Sequence, residues 1–145
     1  MKQSKILDFA QFFLRIAAGF AFFFYGCDRL GFWGKYGDKN VSWGDWSHFM
    51  DYASRVMGFL PYSVAEVFAI IATAAEISFG LLLMVGLKTR WVALGTFFLA
   101  GMFAVSMAIS FGIFQPLSYS VFTVSAAGLL LSCMDRYKWS VDSLL

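Results

Sequence analysis

Residues 63–86 read SVAEVFAIIATAAEISFGLLLMVG, and this stretch decides the fold of the 145-residue chain. A helix that crosses a bilayer needs roughly 20 mostly apolar residues at a rise of 1.5 Å per residue. Glu66 and Glu76 are the only charged side chains in the stretch. The stretch therefore predicts a membrane-spanning helix that holds one carboxylate well inside the apolar part of the bilayer.

Three other stretches have the same character and lie at about 9–26, 91–114 and 117–134. The chain is 60% hydrophobic and 14% charged, whereas soluble domains are about 45–50% apolar and about 25% charged. The connections after the second and third stretches are short, and short connections make consecutive helices antiparallel neighbours. We therefore expect an all-α polytopic membrane protein: a single membrane domain over residues 1–145 built as a bundle of four transmembrane helices.

The connection between the first two helices, residues 27–62, is long and contains a further helical pattern at about 46–59. Apolar side chains recur there at helical spacing, Asp45 is placed to cap the helix, and Pro61 ends it. The pattern predicts a short amphipathic helix in the outer loop, lying in the membrane interface with its aromatic residues at headgroup level. Such a helix is either an aromatic anchor or a lid over an outward-facing pocket, and the sequence leaves both open.

Basic residues set the expected orientation, because Lys and Arg are enriched in short cytoplasmic loops. With four crossings, the basic residues of the short segments share one side: Lys2, Lys5, Lys88, Arg90, Arg136 and Lys138. Both termini are then cytoplasmic and the long loop faces outward. The first apolar stretch is expected to be retained rather than cleaved as a signal peptide, since Arg15 interrupts it and no small-residue cleavage pattern follows.

Each of the first two predicted helices carries one stripe of polar and small residues when it is placed on a helical wheel. The first stripe holds Arg15, Gly19, Gly26 and Arg29, and the second holds Glu66, Ala69, Thr73, Glu76 and Gly80. A charge near the bilayer centre costs at least ~2.5–3 kcal/mol, so charged side chains within spans normally face a bundle interior. Both stripes are therefore expected inside the bundle.

Depth along the helices predicts which charges pair. Arg15 lies about 10 Å and Glu76 about 15 Å from the inner ends of their predicted helices, and an arginine side chain can bridge that offset. We expect Arg15 and Glu76 to form a deep ion pair, with Glu66, Asp28 and Arg29 forming a second ionic layer at the outer mouth. The deep pair either holds the two helices in register or contacts a ligand, a proton or a quinone.

Other site chemistries find little support in the sequence. His48 is the only histidine, so one chain cannot supply two histidine ligands to a haem, and the sequence indicates no metal cluster around it. The glycines between Gly31 and Gly37 lack the context of a nucleotide-binding loop, which leaves no NAD motif. Cys27 and Cys133 are predicted about 30 Å apart, at opposite ends of their helices, which is too far for a disulfide. A net charge of +2 gives no indication of a nucleic-acid partner.

Several motifs, taken in order along the chain, resemble the DoxX family of small four-helix membrane proteins. They are Leu14-Arg15-Ile16 with Gly19, Gly26-x-x-Arg29, Trp43-Gly44-Asp45-Trp46, Leu60-Pro61, Glu76-x-x-x-Gly80, Gly86-Leu87-Lys88-Thr89-Arg90 and Pro116-Leu117-Ser118-Tyr119. The resemblance implies a protein of the bacterial inner (plasma) membrane. It also implies a link to quinone chemistry, because the related DoxD protein is a membrane subunit of a thiosulfate:quinone oxidoreductase.

The resemblance and the buried charges together predict an accessory or quinone-contacting subunit of a membrane redox system. Its expected partners are lipid, a quinone or another apolar small molecule, and a protein of a redox complex; whether it is itself an enzyme stays open. Arg15 and Glu76 are the predicted catalytic centre, and the predicted ligand-binding residues are Glu66, Arg29, Asp28, Thr73 and Tyr119. Two alternatives remain: a membrane protein that binds or moves a small amphiphilic molecule, and a non-catalytic scaffold for a partner.

Overall fold

The computed structural model describes residues 2–145, with side chains from Lys5 onward. The side chain of Lys2, which contributes to the predicted orientation, lies outside the described residues. The described chain is all-helical, as expected. Its helices are α1 (Lys2–Asp28), α2 (Trp46–Val56), α3 (Tyr62–Val85), α4 (Thr89–Phe111), α5 (Phe114–Ser118) and α6 (Val121–Ser132), and a short 3₁₀ turn follows at Val141–Ser143.

Within residues 2–145, three helices are long and apolar enough to cross a membrane: α1 from Lys5 onward, α3 and α4. Helix α6 is apolar but has only 12 residues, or about 18 Å of helix, which is shorter than the hydrocarbon core of a bilayer. The helix predicted at 117–134 is divided into α5 and α6. Ser120 adopts a left-handed backbone (φ 54°) between them, and an apolar pattern does not reveal such a break.

Helices α1 and α3 pack closely because small residues meet where they cross. A Cβ atom on Gly80 would lie 2.6 Å from the Phe23 amide nitrogen and 2.7 Å from the Gly19 carbonyl oxygen. A Cβ atom on Gly26 would lie 2.7 Å from the Ile77 side chain. Close approach of backbones at small residues is how helices associate in membranes. The polar and small stripe predicted for α1 is accordingly buried.

Gly80→Ala is expected to lower the free energy of unfolding by about 1–3 kcal/mol, because the added Cβ meets backbone atoms of α1 that cannot move aside. Gly101→Ala is the matched control, since its Cβ would meet the Ser125 hydroxyl at 3.3 Å and both changes bring the same gain in helix propensity. Reversible unfolding in mixed detergent micelles measures the difference. Equal stability of the two variants would contradict the close crossing.

The same contacts show how far α1 and α3 are displaced along each other. Gly19 lies opposite Gly80 and Gly26 lies opposite Ile77, so α1 ends level with the middle of α3. The remainder of α3 packs against α2, where one cluster joins Ala69 to Phe49, Met50 and Ala53. We call the end of the bundle where α2 lies the α2 end. The opposite end, where residues 86–88 connect α3 to α4, is the turn end.

Helices α4 and α6 form the second close pair. A Cβ atom on Gly128 would lie 2.7 Å from the Thr96 hydroxyl and 2.9 Å from the Phe97 amide nitrogen. The Ser125 hydroxyl donates a hydrogen bond to the Phe97 carbonyl at 2.8 Å. Both close helix pairs therefore depend on small residues, which let the backbones approach, rather than on interlocking of large side chains.

Residues 133–145, the post-α6 segment, fold back over the turn end. The Gln11 side-chain amide donates to the Lys138 carbonyl at 3.0 Å, and the Phe12 ring meets the Trp139 ring edge to face at 5.5 Å. The Asp142 amide donates to the Gly86 carbonyl at 2.9 Å. The first half of α1 and the connection between α3 and α4 are thus the surface on which this segment lies.

Candidate functional site

Arg29, Glu76 and Thr73 form a buried polar cluster inside an otherwise apolar bundle. Arg29 Nη1 lies 2.6 Å from Glu76 Oε2, and Arg29 Nη2 donates to Glu76 Oε1 at 3.0 Å. Arg29 Nη1 also donates to Thr73 Oγ1 at 3.0 Å. The three residues are 3–8% exposed, so a planar guanidinium holds a carboxylate where solvent screens the attraction little.

The cluster lies near mid-depth of the bundle because α1 ends there. Glu76 is 14 residues from Tyr62 and nine from Val85, the two ends of α3, or about 21 Å and about 14 Å along the helix. Arg29 follows directly after α1, and the displacement of α1 along α3 brings it level with Glu76. The predicted position of Arg29 at the outer mouth is therefore wrong, since Arg29 is the deep partner of Glu76.

Helix α2 covers the cluster. The guanidinium carbon of Arg29 lies 4.1 Å from the centre of the Phe49 ring, which makes a cation–π contact. Hydrogen bonds from the His48 amide and ring cap α2 and lower the pKa of the Asp45 carboxyl. The buried face of α2 consists of Phe49, Met50, Ala53 and Val56. This face closes the α2 end next to the ion pair.

Asp28 holds the loop that leads to α2 and takes no part in the ion pair. It is 0% exposed, and its Oδ2 accepts hydrogen bonds from the Ser42 and Trp43 amides at 3.0 Å and 2.9 Å. The Trp43 ring lies 5.8 Å from the Phe49 ring. Asp28 thus acts on the cluster through the loop and Phe49, and its direct contact with a ligand stays a prediction.

The predicted outer ionic layer does not form. Glu66 is half-buried near the start of α3, ten residues or about 15 Å from Glu76, and makes no hydrogen bond or ion pair within the described part of the chain. Tyr119 is 67% exposed, between α5 and α6. It lies near Tyr52, whose pKa is raised by burial and, to a smaller extent, by Tyr119. Of the predicted ligand-binding residues, Arg29 and Thr73 are the two that the fold brings to Glu76.

Arg15 does not reach Glu76, so the predicted deep pair is wrong. Arg15 lies level with Gly86, which is ten residues or about 15 Å beyond Glu76 on α3. The prediction started the first helix at residue 9, whereas α1 begins at Lys2 and is displaced towards the turn end. The stripe predicted for α1 is buried, and the stripe predicted for α3 is buried except at Glu66, but the two helices are aligned differently along their axes.

Arg15 instead holds the post-α6 segment. It is 0% exposed, and its Nη2 donates a hydrogen bond to the Trp139 carbonyl. A Cβ atom on Gly86 would lie 2.5 Å from Arg15 Nη1, which places the guanidinium against the C-terminal end of α3. The helix dipole favours a cation there. The catalytic role predicted for Arg15 depended on Glu76, from which the fold separates it.

Asp142 has the complementary role at the start of α4. Its Oδ1 and Oδ2 accept hydrogen bonds from the Lys88 and Thr89 amides, each at 2.7 Å, where the helix dipole favours an anion. Burial by itself would raise the pKa of Asp142, but hydrogen bonds from Thr89 and the Lys88 amide, together with the charge of Arg15, lower it. The ionised carboxylate therefore fastens the post-α6 segment to α4.

The attachment of this segment is expected to weaken in acid. Because the folded-state pKa of Asp142 is lowered, its stabilisation is present above about pH 4, the ordinary carboxyl range, and is lost as the pH falls further. Asp142→Asn is expected to lower the free energy of unfolding by about 1–2 kcal/mol at neutral pH, because asparagine has a single acceptor oxygen and leaves one of the two α4 amides without its partner. The deficit relative to wild type should shrink progressively as the pH falls below that range. A deficit that persists in acid, or that appears equally in the exposed control Asp135→Asn, would contradict this role.

Sequence reasoning missed Phe49 and Asp142. Phe49 had a usable signal, since it belongs to the apolar face of the predicted loop helix. Asp142 had none, because its carboxylate binds amides 54 and 53 residues away along the chain. No group of three or more His, Cys, Asp or Glu side chains placed to hold a metal ion occurs among residues 2–145 that the structure describes.

Comparison with known proteins identifies the family. No curated protein and no solved structure matches the chain. A model of the DoxX family matches residues 10–109, a range that contains α2 and the whole Arg29–Thr73–Glu76 cluster, while α5, α6 and the post-α6 segment follow it. Because the match spans 100 of the 145 residues, the protein is a member of the DoxX family.

Proposed function

We propose that this membrane protein is an accessory subunit of a membrane redox system and that its Arg29–Glu76–Thr73 cluster contacts the headgroup of a quinone. The observation that carries the proposal is the buried guanidinium–carboxylate pair near mid-depth of an apolar bundle. Charges at such a depth are costly and usually functional. Here they are covered by the short helix α2, which can move without unfolding a spanning helix.

A quinone headgroup suits this cluster because its carbonyl oxygens accept hydrogen bonds and its ring is flat. Arg29 Nε is buried and has no hydrogen-bond partner among the described residues, so one guanidinium donor is available. The Phe49 ring lies over the same guanidinium and offers an aromatic face to a quinone ring, since offset stacking favours such a contact. The apolar faces of the long helices let the isoprenoid tail remain in lipid.

The topology that fits this function has the α2 end on the outer side of a bacterial inner membrane and both termini in the cytoplasm. This topology requires α5 and α6 together to form a fourth crossing beside α4. Lys88 and Arg90 lie at the turn end, as expected for a short cytoplasmic loop. In this arrangement α2 lies in the outer interface and acts as the lid of the quinone site.

A structural clamp is the second candidate, and the pairing of both Arg29 Nη atoms favours it. In that case the cluster serves only to hold α1 and α3 together, and the protein is a scaffold for a partner. A protein that moves another amphiphilic molecule would use the same lid. Binding of a quinone that depends on the residues around Arg29 distinguishes the proposal from the clamp, and competition by other amphiphiles distinguishes it from a general carrier.

Binding of decylubiquinone to the purified protein in lipid nanodiscs, followed by quenching of tryptophan fluorescence, tests the proposal. Trp43 and Trp46 lie 5.8 Å and 5.3 Å from the Phe49 ring, so a quinone at the cluster should quench them. Phe49→Ala is expected to weaken binding about three- to tenfold, because it removes one aromatic stacking contact and its contribution to the binding free energy. The control Phe98→Ala, on an exposed part of α4, should bind as wild type does. Absence of saturable binding, or equal binding by both variants, would contradict the proposal.

A further inference from the structure

The start of α4 at the turn end has the chemistry of an anion-binding site. The Lys88 and Thr89 amides both point at one carboxylate, each at 2.7 Å, and the Thr89 hydroxyl lies beside the same group. A helix of 23 residues presents partial positive charge and unpaired amides at its N-terminus, where anions and phosphate groups bind. The anion in this structure is the chain's own Asp142.

A buried arginine next to this helix start points independently to an anion. Arg15 is 0% exposed, and its Nε and Nη1 have no hydrogen-bond partner within the described residues. Arg15 and Asp142 attract each other, yet no ion pair joins them. Both carboxylate oxygens of Asp142 accept hydrogen bonds from the α4 amides instead. The Asp142 carboxylate therefore pairs with the amides at the start of α4, while two nitrogen atoms of the Arg15 guanidinium keep no hydrogen-bond partner.

We propose that the α4 N-terminus and Arg15 form a binding site for a phosphate group and that Asp142 is its intramolecular occupant. A phosphate group offers more acceptor oxygens than a carboxylate, so it can bind the two amides and the guanidinium at once. The exposed side chains of Lys88 and Arg90 add positive charge at the same level. The phosphate comes either from a phospholipid headgroup or from solution.

The position of the site favours access from the lipid headgroup region. Helix α3 ends at Val85 and α4 begins at Thr89, so the site lies where these two spans leave the hydrocarbon core. The post-α6 segment now covers the site, so phosphate binding requires its release together with Asp142.

Thermal unfolding of Asp142→Ala in detergent, with and without inorganic phosphate, tests the proposal directly. Removal of a tethered competitor is expected to raise the apparent affinity for phosphate about tenfold or more over wild type. Asp135→Ala, which removes the same charge from an exposed position of the same segment, should show the wild-type response. Adding Arg15→Gln to Asp142→Ala should abolish the response. Equal phosphate responses of Asp142→Ala, Asp135→Ala and wild type would overturn the proposal.

Hydrogen exchange of the wild-type protein in nanodiscs provides the second measurement and does not depend on the folding of any variant. Phosphatidylglycerol with phosphatidylcholine is compared with phosphatidylcholine alone, each with and without free phosphate. Faster exchange of residues 137–144 in phosphatidylglycerol identifies the lipid headgroup as the source, and faster exchange on adding phosphate identifies the free anion. Unchanged exchange in all four conditions would overturn the proposal. Either result leaves the quinone proposal untouched, since that site lies at mid-depth.

Discussion

Arg29→Met is expected to lower the free energy of unfolding by about 3–5 kcal/mol, because it leaves the Glu76 carboxylate buried without its cation. Glu76→Leu should be similarly costly, since the Arg29 guanidinium then loses its carboxylate. The double variant is expected within about 1 kcal/mol of wild type, because apolar residues of similar volume often replace a buried ion pair without loss. Reversible unfolding of the four proteins in mixed micelles closes a double-mutant cycle and yields the coupling energy.

A second cycle, between Arg15 and Glu76, is the control for the first. The two residues are separated by about 15 Å along the bundle, and the effects of distant substitutions add within about 0.5 kcal/mol. Arg15→Met and Glu76→Leu should therefore be additive. A large coupling in this cycle, together with a small one between Arg29 and Glu76, would show that the alignment of α1 and α3 is wrong.

Arg15→Met is expected to lower the free energy of unfolding by about 1.5–3 kcal/mol, the usual cost of losing a hydrogen bond to a charged group. The substitution removes the donor to the Trp139 carbonyl while keeping most of the side-chain volume. The effect should be local as well, with faster hydrogen exchange of residues 137–144 than of α3 or α4.

Arg90→Met is the matched control for this prediction, because Arg90 is exposed and lies at the same end of the bundle. It should leave both the stability and the exchange of the post-α6 segment close to wild type. If Arg15→Met destabilises the protein but leaves residues 137–144 as protected as before, Arg15 does not hold this segment.

The membrane-spanning stretches could be predicted from the sequence because each one is encoded locally. A run of about 20 apolar residues must be a helix in a bilayer, where every backbone polar group needs a partner within the chain. The buried face of each helix could also be predicted from local sequence: the period of 3.6 residues places Arg15, Gly19 and Gly26 on one side of α1, and all three are buried. Glu66 was the exception, since Ala65 takes the buried position at that level of α3.

The alignment of the helices along one another could not be predicted, because it depends on packing between residues far apart in the chain. Gly19 and Gly80 set it by allowing their backbones to approach, and nothing within either helix specifies that pairing. The displacement decided which arginine meets Glu76. Sequence reasoning therefore found the residues of the polar cluster but paired Glu76 with Arg15, at the turn end, instead of Arg29.

Irregular backbone shows the same limit. The left-handed conformation of Ser120 divides the fourth apolar stretch, although the stretch has the composition of one continuous helix. The post-α6 segment has little hydrophobic periodicity, and its attachment rests on single contacts made by Gln11, Arg15 and Asp142. Contacts of this kind leave no pattern in the sequence around them.

Quinone binding by the double variant Arg29→Met/Glu76→Leu tests the central claim most directly, because this variant is expected to fold as well as wild type while lacking the polar pair. Titration with decylubiquinone in nanodiscs, monitored by tryptophan fluorescence, compares it with wild type under identical conditions. If the pair binds a quinone headgroup, wild type should show saturable quenching, and the double variant should lose it although its stability is retained. Unchanged affinity in a stably folded double variant would contradict the account and leave the pair a purely structural clamp.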